Sequence, residues 1–579
     1  MRGYRLKTVI FLVKRKIENK LATYRLYLKK EDNVCLTQLE KKPLISFVGQ
    51  NDGLKQSYDN YELVSDLKNA KGEYIAFIDQ NMVLSENALY FMVKQLEQEE
   101  YDLIYCDEDM LVNGKRCNPF FKPDWSPHTL RSFNYIGFSL IKRSAVEVTN
   151  SYYDLLLRLS YKDIRVKHVA RVLVHYKKRA MEQGTESVKN NNEKISIIIP
   201  SKDNLTVLER CINSIRDKSS YNNYEIIVVD NGSCEAVKNK VSTIANRYIY
   251  KKMDFNFSKM CNMGAENATG DFFLFLNDDT QVISNDWLEK MLGIALQKQT
   301  GAVGCMLLYP QSDKIQHCGV INIKNGPIHP FVGKEPDNLY FGRDKYNYNC
   351  CAVTGACLMV DKNKFFGFDE ELRVAYNDID LCFDLVERGY FNVCVPQARL
   401  YHYESVSRGN DRTDENKLKR LFSERQRLYD KHKELAFGDR FYNRNLTGCR
   451  ADFSLENPKY INKNKFCMPL LRPKDYLSDL VKGEIEYISM EDMIGIGGFA
   501  YIHNKSTRTR LLLLTADENA LCVKVNMELR MDMDNKICGF CVNIPRDMLE
   551  KREYSLGVLL TDAFTGKKYV KIFDEKLIL

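Results

Sequence analysis

The chain has 579 residues, of which 44% are hydrophobic and 28% charged, with a formal net charge of +8. That length exceeds what one hydrophobic core supports, so roughly three or four domains of ordinary globular composition are expected. No run reaches the roughly 20 apolar residues of a membrane helix, and the cysteines follow no framework spacing, which excludes a polytopic membrane protein and a disulfide-stapled secreted module.

The first thirty residues are crowded with Lys and Arg, and Glu18 is their first acid. Leu6, Ile10, Val13, Ile17, Leu21, Tyr24 and Leu28 recur among them at helical spacing. Residues 1–42 therefore read as a basic amphipathic segment, suited to an anionic membrane surface or to packing on the next domain. No cleavage site follows Val9-Ile10-Phe11-Leu12-Val13, so a cytoplasmic protein is expected, peripheral at the inner face of the cell membrane if the segment docks there. Basic and aromatic residues do not interleave, so nucleic acid is not an expected partner. The lone Cys538-Gly539-Phe540-Cys541 has no second pair, and a zinc site is not expected.

Residues 43–190 and 194–455 echo one another. Gly72-Glu73-Tyr74-Ile75-Ala76-Phe77-Ile78-Asp79-Gln80-Asn81 aligns without a gap to Gly270-Asp271-Phe272-Phe273-Leu274-Phe275-Leu276-Asn277-Asp278-Asp279. Tyr135–Ile141 echoes Ala352–Leu358, Tyr152-Tyr153-Asp154 echoes Tyr376-Asn377-Asp378, and His175-Tyr176 echoes His402-Tyr403. The first copy shows no counterpart of the strand and helix between Ile195 and Ser214, and Asn81 stands where the second copy has Asp279. It reads as a degenerate copy.

The second copy alternates apolar runs with helical periodicity. Ile195–Ile199, Tyr224–Val229 and Phe272–Leu276 read as buried strands, and Leu205–Ile215 and Phe257–Ala268 as helices. The expectation is an α/β domain with a largely parallel sheet covered on both faces, binding its ligand beyond the carboxyl ends of the strands. Three polar, acid-bearing turns fall at such ends: Pro200-Ser201-Lys202-Asp203, Asp230-Asn231-Gly232 and Asn277-Asp278-Asp279. From about residue 475 the pattern changes to short alternating strands separated by turn residues. An all-β sandwich over 475–579 follows.

These residue types suit a metal-bound, diphosphate-bearing donor. Asp230 at a strand end can recognise a nucleoside, and Asp203 is a second candidate near the base. Asp279 with Asp278 can hold a divalent cation, and His402 can complete a mixed oxygen and nitrogen ligand set. Asn377-Asp378-Ile379-Asp380 puts two carboxylates at the start of an amphipathic helix, where the dipole favours the ionised form a general base needs.

As a set, Ile197–Asn204, Val228–Ser233, Leu276–Thr280, Tyr376–Cys382, His402–Gly409 and Phe441–Leu446 resemble the family 2 glycosyltransferases of GT-A fold, in particular the rhamnosyltransferase-like enzymes of bacterial surface polysaccharide assembly. Tyr105-Cys106-Asp107-Glu108-Asp109 and Phe120-Phe121-Lys122-Pro123-Asp124-Trp125-Ser126-Pro127 resemble the extra domain of two-domain members. The resemblance implies two related GT-A copies, the first degenerate, followed by the β-sandwich. It implies Asp378 as the catalytic base of an inverting transfer. It also implies Pro200, Asp203, Asp230 and Asp278 on the donor, Thr354, Gly355 and Asp380 on the acceptor side, and Asp279 with His402 on Mn²⁺ or Mg²⁺. The implied donor is dTDP-rhamnose or a UDP-sugar, and the acceptor a glycan or lipid-linked glycan. A competing reading is a non-catalytic glycan-binding or scaffold protein of such an assembly.

Overall fold

The computed structural model describes residues 23–29, 31, 36–149, 151–184, 192–323, 326–403, 415–435, 438–448, 450–455, 476–490, 493–503, 505, 507–514, 520–530, 536–545, 553–563, 565 and 567–579. No helix among the described residues is long and apolar enough to cross a membrane.

The first mixed sheet is built from β1 (Ile45–Gly49), β2 (Tyr61–Val64), β3 (Tyr74–Ile78), β4 (Met82–Leu84), β5 (Leu103–Val112), β6 (Lys115–Phe120), β7 (Ser139–Lys142) and β8 (Val166–Tyr176). Its order is β2-β1-β3-β7-β5-β8-β4, with β6 paired to β5. Helices α1 (Ala88–Val93), α2 (Pro127–Ser132) and α3 (Tyr152–Ser160) accompany it.

The second sheet contains β9 (Ile195–Ser201), β10 (Tyr224–Asp230), β11 (Arg247–Tyr250), β12 (Phe272–Leu276), β13 (Thr280–Val282), β14 (Thr300–Leu308), β15 (Ile315–His317), β18 (Tyr348–Cys350), β19 (Cys357–Asp361) and β20 (Phe391–His402). The short hairpin β16 (Ile321–Ile323) and β17 (Gly326–Ile328) stands apart. The order β11-β10-β9-β12-β19-β14-β20-β13 is parallel from β11 to β12, but β19 runs antiparallel to both its neighbours and β13 antiparallel to β20. The sheet expected to be largely parallel is thus parallel over β11-β10-β9-β12 and mixed beyond it, where only β14 and β20 run parallel. Along β9, Ile195, Ile197 and Ile199 enter one core with α4 (Leu205–Lys218) and α7 (Trp287–Ala295). Ile198 enters the opposite core with α6 (Phe257–Glu266) and α8 (Asn377–Glu387), so the strand is buried on both faces. Helix α5 (Glu235–Ile244) lies between β10 and β11.

The two sheets share order and register, and the register corrects the sequence alignment in three places. First, β1 is the counterpart of β9: Ile45 pairs with Tyr74 as Ile195 pairs with Phe272. Ser46 Oγ donates to Glu62 at 2.6 Å and accepts the Gly72 amide at 2.7 Å, just as Ser196 Oγ donates to Glu225 at 2.6 Å and accepts the Gly270 amide at 2.8 Å. A Cβ on Gly72 or Gly270 would sit 2.6 Å from the amide nitrogen of that serine, which explains both glycines. The first strand is therefore present; what the first copy lacks is the helices, because only 11 residues join β1 to β2 and β2 to β3 is spanned by a single short turn of helix. Second, Lys142 pairs with Tyr74 as Asp361 pairs with Phe272, which moves the β7 alignment by two residues and leaves Ile136 in the place of Gly355. Third, Met82 pairs with Tyr176 as Thr280 pairs with His402. Tyr176, not His175, therefore occupies the His402 position. His175 turns to Asp109 at 2.6 Å and Ser85 at 3.0 Å.

The C-terminal region is the expected sandwich, starting at residue 476. One four-stranded sheet holds Val481–Met490, Met493–Ile502, Lys536–Pro545 and Asn526–Arg530; the other holds Ala520–Lys524, Thr507–Leu514, Glu553–Asp562 and Lys568–Ile578. Ile494, Ile496, Phe540 and Val542 from the first meet Leu511, Leu513, Leu556 and Val558 from the second in one core.

Residues 1–22 of the basic segment lie outside the described residues. Its helical continuation, 23–29, buries Tyr24 and Tyr27 against Phe121, Val172, Tyr442 and Leu446, and the Tyr24 hydroxyl binds Asp109. That part of the apolar stripe is covered by protein.

The motifs of the first copy build the seam with the second. Asn443 Nδ2 donates to both Asp107 oxygens at 3.0 and 3.1 Å and to the Lys122 carbonyl at 2.8 Å. The Asp124 amide donates to Arg440 O at 2.8 Å, and His128 Nε2 meets Thr300 Oγ1 at 2.8 Å. Arg131 reaches Gln299 at 2.6 Å. Asn443→Ala is expected to destabilise the protein by about 1–3 kcal/mol, because the Asp107 carboxylate, with no side-chain exposure, loses a donor it cannot replace with water. The urea midpoint of the first unfolding transition measures this.

Candidate active site

The acid-bearing turns expected from the sequence form one hydrogen-bonded rim. The Asn231 amide donates to Ser201 O at 3.0 Å, tying the end of β10 to that of β9. Ser201 Oγ donates to Asp278 Oδ2 at 2.7 Å. The Asn277 amide donates to Ala356 O at 3.0 Å, and the Gly355 amide donates to Asp378 Oδ2 at 2.7 Å. Asn231 and Asp378, 147 positions apart, are thus joined without a gap, and each link has ordinary hydrogen-bond length.

At one end of the rim, Pro200 is the second-last residue of β9 and Asp203 adopts a left-handed φ of 53°. The Asp203 amide donates to Ser233 Oγ at 2.8 Å and its carboxylate accepts the Cys234 amide at 3.0 Å, so this exposed acid builds the turn that faces α5. Asp230 is buried, accepting the Tyr248 hydroxyl at 2.6 Å and the Ser233 amide at 2.8 Å. Burial and the Asp230 carboxylate push the Tyr248 phenol well up, keeping it a proton donor to Asp230. Tyr248 was not anticipated from the sequence.

In the middle, the β13–β20 register places His402 beside Asp279: Thr280 pairs with His402, and the Tyr403 amide donates to Asp279 O at 3.0 Å. His402 Nε2 lies 3.1 Å from Asp279 Oδ1, and its Nδ1 lies 2.8 Å from Gln316 Oε1. With the Nδ1 hydrogen donated to the glutamine carbonyl, Nε2 carries the lone pair and faces a carboxylate. Asn277 Nδ2 also lies 3.3 Å from Nε2, and a proton or a cation between Nε2 and Oδ1 would relieve the repulsion of two electron-rich atoms at this distance. Asp279 and His402 could hold a metal on this rim; away from it, Asp384, Glu387 and His432 bring three ligand atoms within 4.8 Å of one another.

At the other end, Asp378 sits in the first turn of α8. Its Oδ1 accepts the Ile379 amide at 2.8 Å while Oδ2 takes the Gly355 amide, which orients the carboxylate and leaves each oxygen a second lone pair. The glycine leaves room for this approach, since a Cβ there would lie a tight 3.3 Å from the Asp378 Cβ. Thr354 is half-buried beside it, its amide 3.5 Å from His317 Nε2.

Asp380 is a correction. Two residues on from Asp378, it lies on another side of the helix and is buried, accepting Lys431 Nζ at 2.9 Å and His432 Nε2 at 2.9 Å from α9 (Glu415–Lys431) and the residue after it. It cannot line the acceptor side. Gln316, His317 and His329 were missed. His317 is buried, and its Nδ1 lies 2.7 Å from His329 Nδ1. Burial drives the His317 imidazole well below its ordinary range, with His329 and His402 adding to the effect. The available signal was distributional: the chain has only 8 histidines, and three of them gather here. Of the motif 402–409, residues 404–409 lie outside the described residues.

Residues 196–364 match the family model described as glycosyl transferase family 2. That stretch of the second copy is similar to the family 2 glycosyltransferases. Its mixed sheet is the GT-A arrangement expected. The chain is 33% identical over 463 residues to protein y4gI of Sinorhizobium fredii, covering 68% of this chain and 51% of that one. It is 30% identical over 402 residues to the O-antigen biosynthesis protein RfbC of Myxococcus xanthus, covering 59% and 32%. It is 27% identical over 227 residues to the amylovoran biosynthesis glycosyltransferase AmsB of Erwinia amylovora, covering 37% and 70%. The chain thus spans about half the length of y4gI and a third of RfbC. Among solved structures, GalNAc-T7 with UDP, GalNAc and Mn²⁺ superposes with a TM-score of 0.37 at 12% identity, over 69% of this chain and 81% of that one. Staphylococcus aureus TarS gives 0.30 at 10%, over 66% and 77%. Superpositions this loose add nothing to the topology.

The His432 clamp gives the second copy a pH signature. Burial lowers the imidazolium, but hydrogen bonds to Asp380 and Glu387 outweigh it and hold the group above its ordinary value. A raised folded value means the stabilisation is complete below about pH 6.5 and is lost as pH rises through the folded value. The melting temperature is expected to fall across that range, and His432→Gln to flatten the fall.

Proposed function

We propose that this chain is an inverting glycosyltransferase that moves a sugar from a nucleotide-diphospho-sugar to a hydroxyl of a growing bacterial surface glycan. The observation that carries the reading is the continuous rim, which brings the Asp279–His402 pair and the Asp378 carboxylate onto one edge of a family 2-like domain. The names of the RfbC and AmsB relatives support a polysaccharide acceptor.

Asp279 and His402 fit a hard divalent cation. Ligands about 2.1 Å from six-coordinate Mg²⁺ lie roughly 3 Å from their neighbours, close to the 3.1 Å between Oδ1 and Nε2. When bound, Mn²⁺ or Mg²⁺ would neutralise charge on the diphosphate leaving group. The rest is done by the chain. Asp230 and Asp203 bind the nucleoside side of the donor from the β9–β10 rim, and Asp278, held by Ser201, faces the ribose or the metal. Asp378 accepts the acceptor's hydroxyl proton. The freed oxygen lone pair attacks the anomeric carbon, and the electron pair of the breaking C–O bond leaves with the diphosphate. Gly355 and Thr354 line the acceptor side next to that base. Rhamnose on dTDP is the donor favoured by the motif set, with UDP-sugars as the alternative.

The first copy is read as inactive in transfer. Its Lys177 amide donates to Asn81 O at 2.8 Å, as that of Tyr403 does to Asp279 O, yet the side chains at the two ligand positions are Asn81 and Tyr176. It also lacks the helices that flank the nucleoside side in the second copy.

Release of nucleoside diphosphate across a panel of nucleotide sugars, with and without Mn²⁺, tests the proposal. Asp378→Asn is expected to lower turnover by roughly 100-fold or more while leaving nucleotide binding in place. Asp279→Ala is expected to abolish the response to metal. Asp154→Asn in the first copy is expected to change nothing, and a loss equal to that of Asp378→Asn would overturn the division of labour. A panel with no turnover would favour the scaffold reading.

A further inference from the structure

Helix α9 lies outside the catalytic sheet, and its Glu424 is buried although it is an acid on an otherwise polar helix. Its carboxylate accepts three consecutive backbone amides: Oε1 takes Arg373 at 3.0 Å and Val374 at 3.2 Å, and Oε2 takes Ala375 at 2.9 Å. Three amides converging on one carboxylate form an anion nest, filled here by the chain itself. Tyr376 follows with a left-handed φ of 62°, and α8 begins at Asn377. The carbonyl side of the same loop is held from below. The Phe257 amide donates to Arg373 O at 2.8 Å, Ser258 Oγ to Leu372 O at 2.5 Å, and Asn256 Nδ2 to Glu370 O at 2.7 Å. Beyond Asp378, Lys431 and His432 grip Asp380 on the far side of α8, and Lys431 also reaches Asp384 at 2.9 Å. Asp378 therefore lies between two segments that the α9 region fixes, one at residues 373–375 and the other at residue 380.

We propose that Glu424 is a positioning residue: it sets the place of the Asp378 carboxylate by anchoring the loop that leads into α8. The proposal rests on the reading of Asp378 as the base. It assigns to α9 a role in turnover that the α9 sequence, a charged helix 37 or more residues beyond Asp378, does not announce.

The test compares wild type, Glu424→Gln and Glu424→Ala in the full chain. In Glu424→Gln the new side-chain amide would oppose a donor to the Ala375 amide, so the isosteric change breaks the nest without opening a large cavity. Hydrogen exchange at residues 372–380 is expected to speed up in both variants, with the β12 and β14 amides unchanged. With the best nucleotide sugar of the panel, turnover is expected to fall by roughly 100-fold, the scale of a 1 Å misplacement, while donor KM stays within about twofold. Unchanged exchange at 372–380 would overturn the proposal. So would a uniform rise in exchange, or a loss of turnover matched by a loss of donor affinity, either of which marks a merely structural residue. Asp378→Asn separates the two claims. If that variant keeps turnover, the base reading fails while the exchange data still decide the anchoring. If no nucleotide sugar turns over, the transferase reading fails and exchange alone decides.

Discussion

Strand β12 is hydrogen-bonded along both edges, parallel to β9 and antiparallel to β19, and it stops at Leu276 where the acids begin. Every residue of this strand is buried, so neither edge can slip without breaking ladder bonds that water cannot replace. The turn Asn277-Asp278-Asp279 inherits that rigidity. From it the rim extends one way through Ser201 to Asp230 and the other way through Ala356 and Gly355 to Asp378. Electrostatic work at such a site depends on groups that do not reorganise, and the doubly paired strand is what denies them freedom.

The duplicated sheet separates what the two copies share from what differs between them. Both copies keep the buried Ser–Glu–Gly bond set at the start of the first strand and the same backbone contact beside the acid turn. They differ in the side chains at the positions of Asp279 and His402, which are Asn81 and Tyr176 in the first copy, and in the helices that follow the first two strands. The first copy spends its polar motifs differently. Asp107 accepts Asn443 of the strap at 440–445, His128 meets Thr300 of the second copy, and the Lys122 carbonyl and Asp124 amide also bond to the strap, while the Lys122 ammonium stays inside the first copy on the Cys106 and Ile136 carbonyls and Glu108. The Phe441–Leu446 run, part of the family resemblance, is likewise a seam element through Asn443, and through Asn445, whose Nδ2 donates to Ala170 O at 2.9 Å.

Much of this was legible in the sequence. Short β-branched runs such as Ile195–Ile199 read as strands buried on both faces, and acids placed after them fall on the rim of the sheet. Pro200, Asp203, Asp230, Asp278, Asp279, Thr354, Gly355, Asp378 and His402 all lie on or beside that rim. Asp380 does not, because a helix turns about 100° per residue and carries the second acid of Asn-Asp-x-Asp toward α9. The first strand of the N-terminal copy was missed because its following helix is gone, and the helical pattern was the cue for the strand.

Sequence alone determined the domain order, the strand runs and the acid-ended turns, since these follow from local periodicity and from residues adjacent in the chain. Tertiary structure alone decided which atoms meet. Whether Tyr176 or His175 matches His402 depends on the pairing of two strands some 90 residues apart, as a shift of one residue turns every side chain to the other face. The same holds for Gln316 behind His402 and Glu424 behind Asp378, contacts whose partners are 86 residues apart and 49 to 51 residues from the loop, respectively. Non-local contacts of this kind leave no periodic trace, because what selects them is the packing of whole elements rather than the spacing of residues along one of them.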